Sequence, residues 1–239
     1  MKRLYKKADK IVFQTNDAMN YFSEDIRKKG IIIPNPLNPI FLNSYYEGKR
    51  KKTIVSVGRL EEQKNQLMLI RAFSKISKEF NEYNLKIYGE GTLRSKLQNE
   101  IDRLELNEKV KLCGISNNIK EDIKDASLFI ITSNYEGMPN ALMEAMALGL
   151  PVISTDCPCG GPKFLIENKK NGILIPVGDE KVLIESIRMI LNNNKFAIQI
   201  GKNALEIGEK LSPNIINQKW NDLIREVYIN DKEKDKENC

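Results

Sequence analysis

Residues 127–156 read SLFIITSNYEGMPNALMEAMALGLPVISTD and contain two apolar runs separated by a helix-forming segment. The runs SLFIIT and PVISTD have the length and the branched apolar side chains of buried strands. Between them, Asn140–Leu148 is rich in alanine, leucine and methionine, which favour a helix. A strand, a helix and a second strand in this order predict parallel strands joined by a crossover helix, the repeating unit of an α/β fold.

The same alternation continues along the chain. Seven apolar runs are predicted to be strands: KIVFQT, TIVSVG, NLKIYG, KVKLCG, SLFIIT, PVISTD and GILIPV. Seven segments are predicted to be helices: Asn16–Lys29, Gln66–Glu79, Thr92–Leu104, Asn140–Leu148, Lys181–Leu191, Ala197–Glu209 and Pro213–Tyr228. The six strands from Thr53 onward are expected to form one Rossmann-like, doubly wound parallel sheet.

The segment IIIPNPLNPIF, residues 31–41, separates the first predicted strand from the other strands. Its three prolines interrupt regular structure and indicate a linker. Residues 1–36 are therefore predicted to be the last piece of another domain. Residues 37–212 form the main α/β domain in this division, and residues 213–239 form a last helix with the charged tail NDKEKDKENC.

The composition restricts the class of protein only loosely. Lysine and arginine number 38 against 32 aspartates and glutamates, and this excess of 6 positive charges suits a phosphate-bearing ligand, an anionic membrane surface or nucleic acid. The chain has no histidine, and its four cysteines form no C-x-x-C pair, so no metal site is expected. Because no apolar run reaches the roughly 18 residues of a membrane span and the first residues lack the pattern of a signal peptide, a cytoplasmic protein is predicted.

Ligands of open α/β sheets bind outside the carboxyl ends of the strands, so the loops after the strands are the candidate sites. In the loop SNYEGMPN, Pro139 is predicted to lie in the first turn of the following helix. The backbone amides of Met138, Asn140 and Ala141 would then point out of the helix start without partners. This arrangement predicts an anion site.

Glu144 stands in the middle of the same apolar helix. Burial of an unpaired carboxylate costs several kcal/mol, so Glu144 is expected to have a partner. A diol such as ribose, donating two hydroxyls, is one candidate partner, and an internal ion pair with a lysine or arginine is the other. The sequence leaves both open.

Three further loops contribute candidate residues. In VGRLEEQKN, Gly58 ends a strand, and Arg59 and Lys64 could straddle a diphosphate or could be ordinary surface charges beside neighbouring glutamates. In KLCGISNN, the backbone of Gly114 and Ile115 could pair with a base edge or could simply leave the strand. The loop IYGEGTLRSKL has an arginine where a dinucleotide fingerprint needs its third glycine, and it is predicted to be a tight turn near the ligand.

Taken together, these residues resemble the retaining nucleotide-sugar glycosyltransferases of family 4. The motif that carries the resemblance is Glu-x7-Glu, here Glu136 and Glu144, and it is supported by VGRLEEQKN upstream and GGPKFLIENKKNGILIPVGD downstream. Members have two Rossmann-like domains, the GT-B fold, with the ligand in the cleft between them. The resemblance implies that this chain is the C-terminal, donor-binding half, with most of the N-terminal acceptor domain missing or supplied by a split partner.

The resemblance also assigns roles to the residues. It places Glu136 at the donor sugar as the catalytic residue, Glu144 at the ribose, Arg59 and Lys64 at the diphosphate, and the Gly114–Ile115 backbone at the base. It implies no cofactor and no metal ion, because the two cations and the helix start can neutralise the leaving diphosphate. Pro139 departs from the glycine that many relatives have at this position.

The implied reaction transfers a hexose or N-acetylhexosamine, with retention, from a UDP-linked donor to a glycan or lipid-linked acceptor. The implied setting is the synthesis of capsule, O-antigen or another cell-surface polysaccharide, with peripheral contact at the inner face of the plasma membrane and no nucleic acid partner. A non-catalytic nucleotide-sugar-binding remnant and a GT-B epimerase remain alternatives. A dinucleotide-dependent oxidoreductase is disfavoured, because no strand precedes a complete G-x-G-x-x-G.

The last predicted helix carries an apolar face formed by Trp220, Leu223, Ile224 and Val227. In the resemblance this is the helix that crosses back onto the first domain. We expect part of this face to be bare in the isolated chain and to promote self-association.

Overall fold

The computed structural model describes Tyr5 and residues 7–237, with side chains as far as Ile229. The strands of the described part are β1 (Ile11–Phe13), β2 (Gly30–Ile32), β3 (Lys51–Val57), β4 (Asn84–Tyr88), β5 (Val110–Gly114), β6 (Ala126–Ile131), β7 (Val152–Thr155) and β8 (Ile173–Ile175). Its helices are α1 (Asn16–Asn20), α2 (Glu24–Arg27), α3 (Gln66–Ile76), α4 (Arg94–Arg103), α5 (Ile119–Ile123), α6 (Asn140–Ala147), α7 (Gly161–Leu165), α8 (Glu180–Asn192), α9 (Asn194–Ala204), α10 (Ile207–Lys210) and α11 (Pro213–Glu237), with one 3-10 turn at Pro39–Phe41.

Six strands form one parallel sheet in the order β5-β4-β3-β6-β7-β8, which confirms the predicted Rossmann-like, doubly wound fold. The chain winds outward from β3 to β5 and then returns to the other side of β3 as β6. The direction of winding therefore reverses between β3 and β6, and a crevice is expected there at the carboxyl ends of the strands. Large apolar clusters cover both faces of the sheet.

The N-terminal residues form a separate two-stranded parallel sheet, β1 paired with β2, with its own small apolar cluster. The prediction of one continuous helix over Asn16–Lys29 is wrong, because the structure has two short helices there, α1 and α2. Asn20 and Ser23 flank the break, and such short polar side chains compete with the helical backbone for hydrogen bonds. The strand β2 and the 3-10 turn at Pro39–Phe41 also show that the proline-rich segment is more regular than the linker expected there.

Other differences concern element ends. The predicted helix Ala197–Glu209 is two helices, α9 and α10, and the short helices α5 and α7 were not predicted, because five residues are too few to show a helical period. The last helix continues to Glu237 through the charged tail, and the final two residues lie outside the described part.

The last helix, α11, is half-covered. Leu223 is buried in the cluster under the sheet and Val227 packs against that cluster, whereas Trp220 and Ile224 are exposed. Part of its apolar face is therefore bare, as predicted, while self-association stays a prediction. Among the described residues, no helix has both the length and the apolar composition needed to cross a membrane.

Arg50 stabilises the amino edge of the sheet by hydrogen bonding to four backbone carbonyls. Its guanidinium donates to the carbonyls of Lys124 at 3.0 Å, Ala126 at 3.1 Å, Leu148 at 3.5 Å and Gly149 at 2.6 Å. These carbonyls lie at or just beyond the ends of α5 and α6, where the helical hydrogen bonds stop. Burial lowers the pKa of Arg50 from its usual value, and the carbonyl contacts compensate for that desolvation.

We expect Arg50→Ala to lower the free energy of unfolding by about 2–4 kcal/mol, because it leaves several half-buried carbonyls without donors. The matched control is Lys49→Ala at the exposed neighbouring position, which should change stability by less than about 0.5 kcal/mol. Urea denaturation of both variants measures the difference. Equal effects of the two substitutions would contradict the role given to Arg50.

Candidate functional site

Lys64 and Glu136 form an ion pair where the winding of the sheet reverses. Lys64 comes from the loop after β3 and Glu136 from the loop after β6, and the Glu136 side chain is only 7% exposed. Ser133 Oγ donates to Glu136 Oε1 at 2.6 Å, and Gln63 Nε2 donates to Oε2 at 3.4 Å. The ammonium group and these two donors therefore fix the position of the Glu136 carboxylate.

Hydrogen bonds between the two loops fix this ion pair in position. Thr132 Oγ1 lies 3.0 Å from the carbonyl oxygen of Lys64 and 2.9 Å from that of Asn65, the residue that begins α3 in a left-handed conformation. Asn134 donates through its backbone amide to the carbonyl of Gln63 and through its side chain to that of Glu62, both at 2.7 Å. The loop after β6 is therefore joined along its length to the loop after β3.

Two glycines allow the loops to approach each other closely. A Cβ at Gly58 would lie 3.1 Å from Cε of Lys64, so the lysine stem lies directly over this glycine. A Cβ at Gly89 would lie 2.0 Å from the carbonyl oxygen of Gly58, and Gly89 has a φ of +134°. The segment after β4 therefore packs against the loop that carries Arg59 and Lys64, and the tight turn near the ligand expected there stays a prediction.

Arg59 lies on the solvent side of the same loop. Its side chain is 67% exposed, with Glu61 at 3.5 Å and the side-chain oxygen of Gln63 at 3.3 Å. These contacts are long and exposed, so they hold the guanidinium weakly. Arg59 can therefore exchange them for a stronger anion at little cost.

The start of α6 differs from the prediction in one position. Pro139 is the N-cap, with φ −77° and ψ 96°, and does not lie in the first helical turn. The backbone amide of Leu142 makes the first hydrogen bond, to the carbonyl of Pro139 at 3.0 Å. The amides of Asn140 and Ala141 precede that bond and are available to an anion, while Met138 is buried just before the helix.

Glu144 makes neither an ion pair nor a side-chain hydrogen bond with any residue that the structure describes. The internal ion pair considered for it is therefore wrong. Partial burial alone raises the pKa of Glu144 to about 7. Its carboxyl group lines a cavity of about 260 Å³, whose walls are Pro36, Leu37, Asn38, Pro39, Asn140, Met143, Glu144 and Pro213.

Gly114 and Ile115 lie at the far end of the carboxyl edge, at the exit of β5. Gly114 has a φ of +74°, and its carbonyl oxygen accepts a hydrogen bond from the amide of Gly89 at 2.7 Å. Ile115 is 76% exposed. A flat ligand could therefore lie on an apolar side chain here, two strands away from β3 and Lys64 and three strands away from β6 and Glu136.

The N-terminal piece reaches the same edge through contacts that the sequence reasoning missed. Thr15 Oγ1 donates to the carbonyl of Cys159, and Gln14 Nε2 donates to Asn35 Oδ1 at 2.5 Å. Asn35 Nδ2 in turn donates to Asn140 Oδ1 at 3.1 Å, at the start of α6. Because Gln14 and Thr15 directly follow β1, the rule that ligand residues follow strands could have drawn attention to them.

Comparisons with known proteins show the family of the chain. The family profile described as "Glycosyl transferases group 1" matches residues 41–207. The chain belongs to this glycosyltransferase family.

An uncharacterized glycosyltransferase of Methanocaldococcus jannaschii is 34% identical over 180 residues, which cover 69% of this chain and 44% of that protein. An α-1,4-N-acetyl-D-galactosaminyltransferase of Campylobacter jejuni, named for an undecaprenol-diphosphate-linked substrate, is 28% identical over 90% of this chain and 59% of its own length. The chain thus spans about half the length of these relatives.

Among solved structures, a mutant of TarM from Staphylococcus aureus in complex with fondaparinux, α-GlcNAc-glycerol and UDP superposes with a TM-score of 0.83. It is 27% identical, and the match covers 93% of this chain and 45% of that one. The group 1 glycosyltransferase fold is therefore of the GT-B type in this chain, with the Rossmann-like sheet as its main body.

We expect Glu144→Gln to stabilise the protein above neutral pH. The pKa of Glu144 is raised in the folded state to about 7 from an ordinary value of 4.5, so the folded state binds the proton more tightly than the unfolded state. Stability is consequently lost as the pH rises from about 4.5 to 7, and the glutamine variant lacks this loss.

Thermal melts of the Glu144→Gln variant and the unchanged protein at several pH values between 5 and 8.5 check this. The advantage of the glutamine variant should grow up to about pH 7 and then remain constant. Glu185→Gln, at an exposed position on α8, is the control and should show no such trend. A difference for Glu144→Gln that does not change with pH would show that the acid is charged throughout.

Gly161 should not tolerate a side chain. A Cβ there would lie 1.8 Å from the carbonyl oxygen of Gly137, which directly follows Glu136. We expect Gly161→Ala to lower the unfolding free energy by about 1–3 kcal/mol through overpacking. Gly208→Ala in α10, where the nearest atom lies at 3.9 Å, is the control and should be neutral or stabilising in the same denaturation assay.

Proposed function

We propose that this chain is the donor-binding half of a retaining, family 4 glycosyltransferase that takes a hexose or N-acetylhexosamine from a UDP-linked donor. The observation that carries the proposal is the pair of acids Glu136 and Glu144. Glu136 is enclosed and held by Lys64, whereas Glu144, eight residues later, faces a cavity without any described partner. One acid is thus held by several donors of the protein, and the other is open to hydroxyl donors of a ligand.

The diphosphate is assigned to Lys64, Arg59 and the start of α6. An ammonium group has three N–H donors, so Lys64 can keep its contact with Glu136 and still donate to phosphate oxygens. Arg59 adds a planar fork from the solvent side, and the amides of Asn140 and Ala141 add backbone donors. Together these groups can neutralise a leaving diphosphate without a cofactor or metal ion. The UDP bound to TarM, a relative of similar fold, supports this choice of nucleotide.

The ribose is assigned to Glu144 and the base to the exit of β5. Two ribose hydroxyls can donate to one carboxylate, and these donors would favour its charged form and lower its raised pKa. Ile115 and the backbone at Gly114 would then support the base.

Glu136 is assigned to the donor sugar as the catalytic residue. Positive charge develops on the sugar ring as the bond to the diphosphate breaks. A carboxylate in an enclosed site stabilises such charge more strongly than it would in water. Lys64 would tie this acid to the leaving group, because the same ammonium contacts Glu136 and can reach a phosphate oxygen.

The acceptor, the remainder of the enzyme and the cellular setting are also proposals. The Campylobacter relative is named for a lipid-linked oligosaccharide substrate. We therefore assign a glycan or lipid-linked acceptor, cell-surface polysaccharide synthesis and peripheral contact with the inner membrane face. A non-catalytic donor-binding remnant is the competing function, and it predicts binding of UDP without turnover in any reconstituted enzyme.

Isothermal titration of this chain with UDP tests donor binding. We expect Arg59→Ala to weaken binding by about 1–3 kcal/mol, through loss of charge-assisted hydrogen bonds to phosphate. Arg188→Ala is the control, because Arg188 is a partly exposed arginine on α8 that pairs with Glu79 at 2.8 Å and lies outside the proposed donor site. Unchanged UDP affinity in Arg59→Ala would contradict the assignment of Arg59 to the diphosphate and would show that it is an ordinary surface charge.

Substitutions of the two acids, Glu136 and Glu144, should have different kinetic effects in an enzyme completed with its N-terminal domain. Glu144→Gln should chiefly raise the KM for the donor, because ribose is held equally in the ground and transition states. Glu136→Gln should chiefly lower kcat, because the charge it faces develops only during reaction. Glu167→Gln at an exposed loop position should change neither. Full turnover of Glu136→Gln would overturn the catalytic assignment.

A further inference from the structure

A cavity of about 490 Å³ lies at the amino edge of the six-stranded sheet, and we call it the amino-edge cavity. Its walls include Lys52 and Ser127 at the starts of β3 and β6, and Pro151 just before β7. Because the strands are parallel, this edge is opposite the one that carries Lys64 and Glu136. The length of β3, about 20 Å at about 3.3 Å per residue, separates the two sites.

The wall of the amino-edge cavity has an excess of positive charge. Its lining cations are Lys49, Arg50, Lys52 and Lys202, and its lining acid is Glu47. Arg50 is occupied by helix carbonyls, and Lys52 pairs with Glu82 at 2.7 Å. Lys49 and Lys202 form no ion pair with any side chain in the described part of the chain. Both lysines are exposed and free to bind an anion, so the net charge of the wall favours an anionic ligand.

Three tyrosines, Tyr45, Tyr46 and Tyr83, line the same cavity. The Tyr45 ring is held against the backbone, since a Cβ on Gly149 would lie 2.6 Å from its Cδ2 atom. The Tyr83 ring is buried and lies 4.9 Å beneath the Lys52 ammonium. Tyrosine combines an apolar ring face with a hydroxyl, so this wall suits a ligand that has C–H faces and hydroxyl groups.

We propose that the amino-edge cavity is a binding site for a phosphorylated saccharide. Tyr45 and Tyr46, which are half-buried, contact the sugar ring, and Lys49 and Lys202 hold the phosphate. The cavity has the size of sites that enclose small ligands, about 300–1,000 Å³, and it combines apolar walls with a few charged groups as such sites do. It lies apart from the donor site, so the proposal stands independently of the proposed function.

Isothermal titration of the chain with glucose 6-phosphate, with and without UDP, tests this. We expect one saturable site whose affinity is the same in both conditions. Lys202→Glu should weaken binding at least tenfold, and Ile198→Glu, which puts an acid on the exposed cavity wall, should abolish it. Both positions are exposed, and melting curves confirm that the variants fold. Lys181→Glu makes the same change of net charge outside the cavity and should leave affinity within twofold.

Several results would overturn the proposal. Absence of saturation at millimolar glucose 6-phosphate would exclude the site. Displacement by UDP would place the probe in the donor crevice. Equal weakening by Lys202→Glu and Lys181→Glu would show a response to net charge alone. Inorganic phosphate that binds as tightly as glucose 6-phosphate would show that the tyrosines contact no sugar.

Discussion

The ion pair between Lys64 and Glu136 determines how the carboxyl edge of the sheet is arranged. The two residues come from the loops after β3 and β6, on either side of the point where the winding reverses. An enclosed carboxylate that loses its cation destabilises a protein strongly, so neither loop can move without the other. Thr132 reinforces the pair by hydrogen bonding to the backbone beside Lys64. Polar groups around the crevice are therefore held in place before any ligand arrives, a condition that electrostatic stabilisation of a reaction requires.

Glu136 and Glu144 lie in opposite kinds of environment, although Glu136 is in the loop after β6 and Glu144 is in α6, the helix that follows that loop. Glu136 is surrounded by donors, whereas Glu144 lies on an apolar helix with a raised pKa of about 7. Such an acid destabilises the folded protein at neutral pH and is retained at the expense of stability. Groups with strongly perturbed titration beside a cavity are typical of functional sites, and this is the pattern at Glu144.

The sequence was sufficient to predict the fold, because apolar runs and helical periods are local patterns, and it named candidate site residues whose roles stay predictions. Apolar runs alternating with helical segments predicted the six-stranded sheet, and the rule that ligands bind after strands selected Arg59 and Lys64, whereas Glu136 was selected only by the family resemblance. It could not predict that Lys64 and Glu136 contact each other, since side-chain pairing across 72 residues leaves no periodic signal. The break between α1 and α2 and the position of Pro139 as an N-cap were also missed, because element ends depend on single hydrogen bonds.

The walls of the Glu144 cavity have a mechanical consequence. Pro36–Pro39 belong to the segment that joins the small N-terminal sheet to the main domain, and Pro213 begins α11, which pairs with the N-terminal piece through Lys10 and Glu226. The amide of Leu37 bonds to the carbonyl of Leu211 at 2.8 Å, so the two crossing segments move together. A molecule that fills this cavity would therefore contact the joining segment, α6 and the start of α11 at once, and would hold these three parts of the chain together.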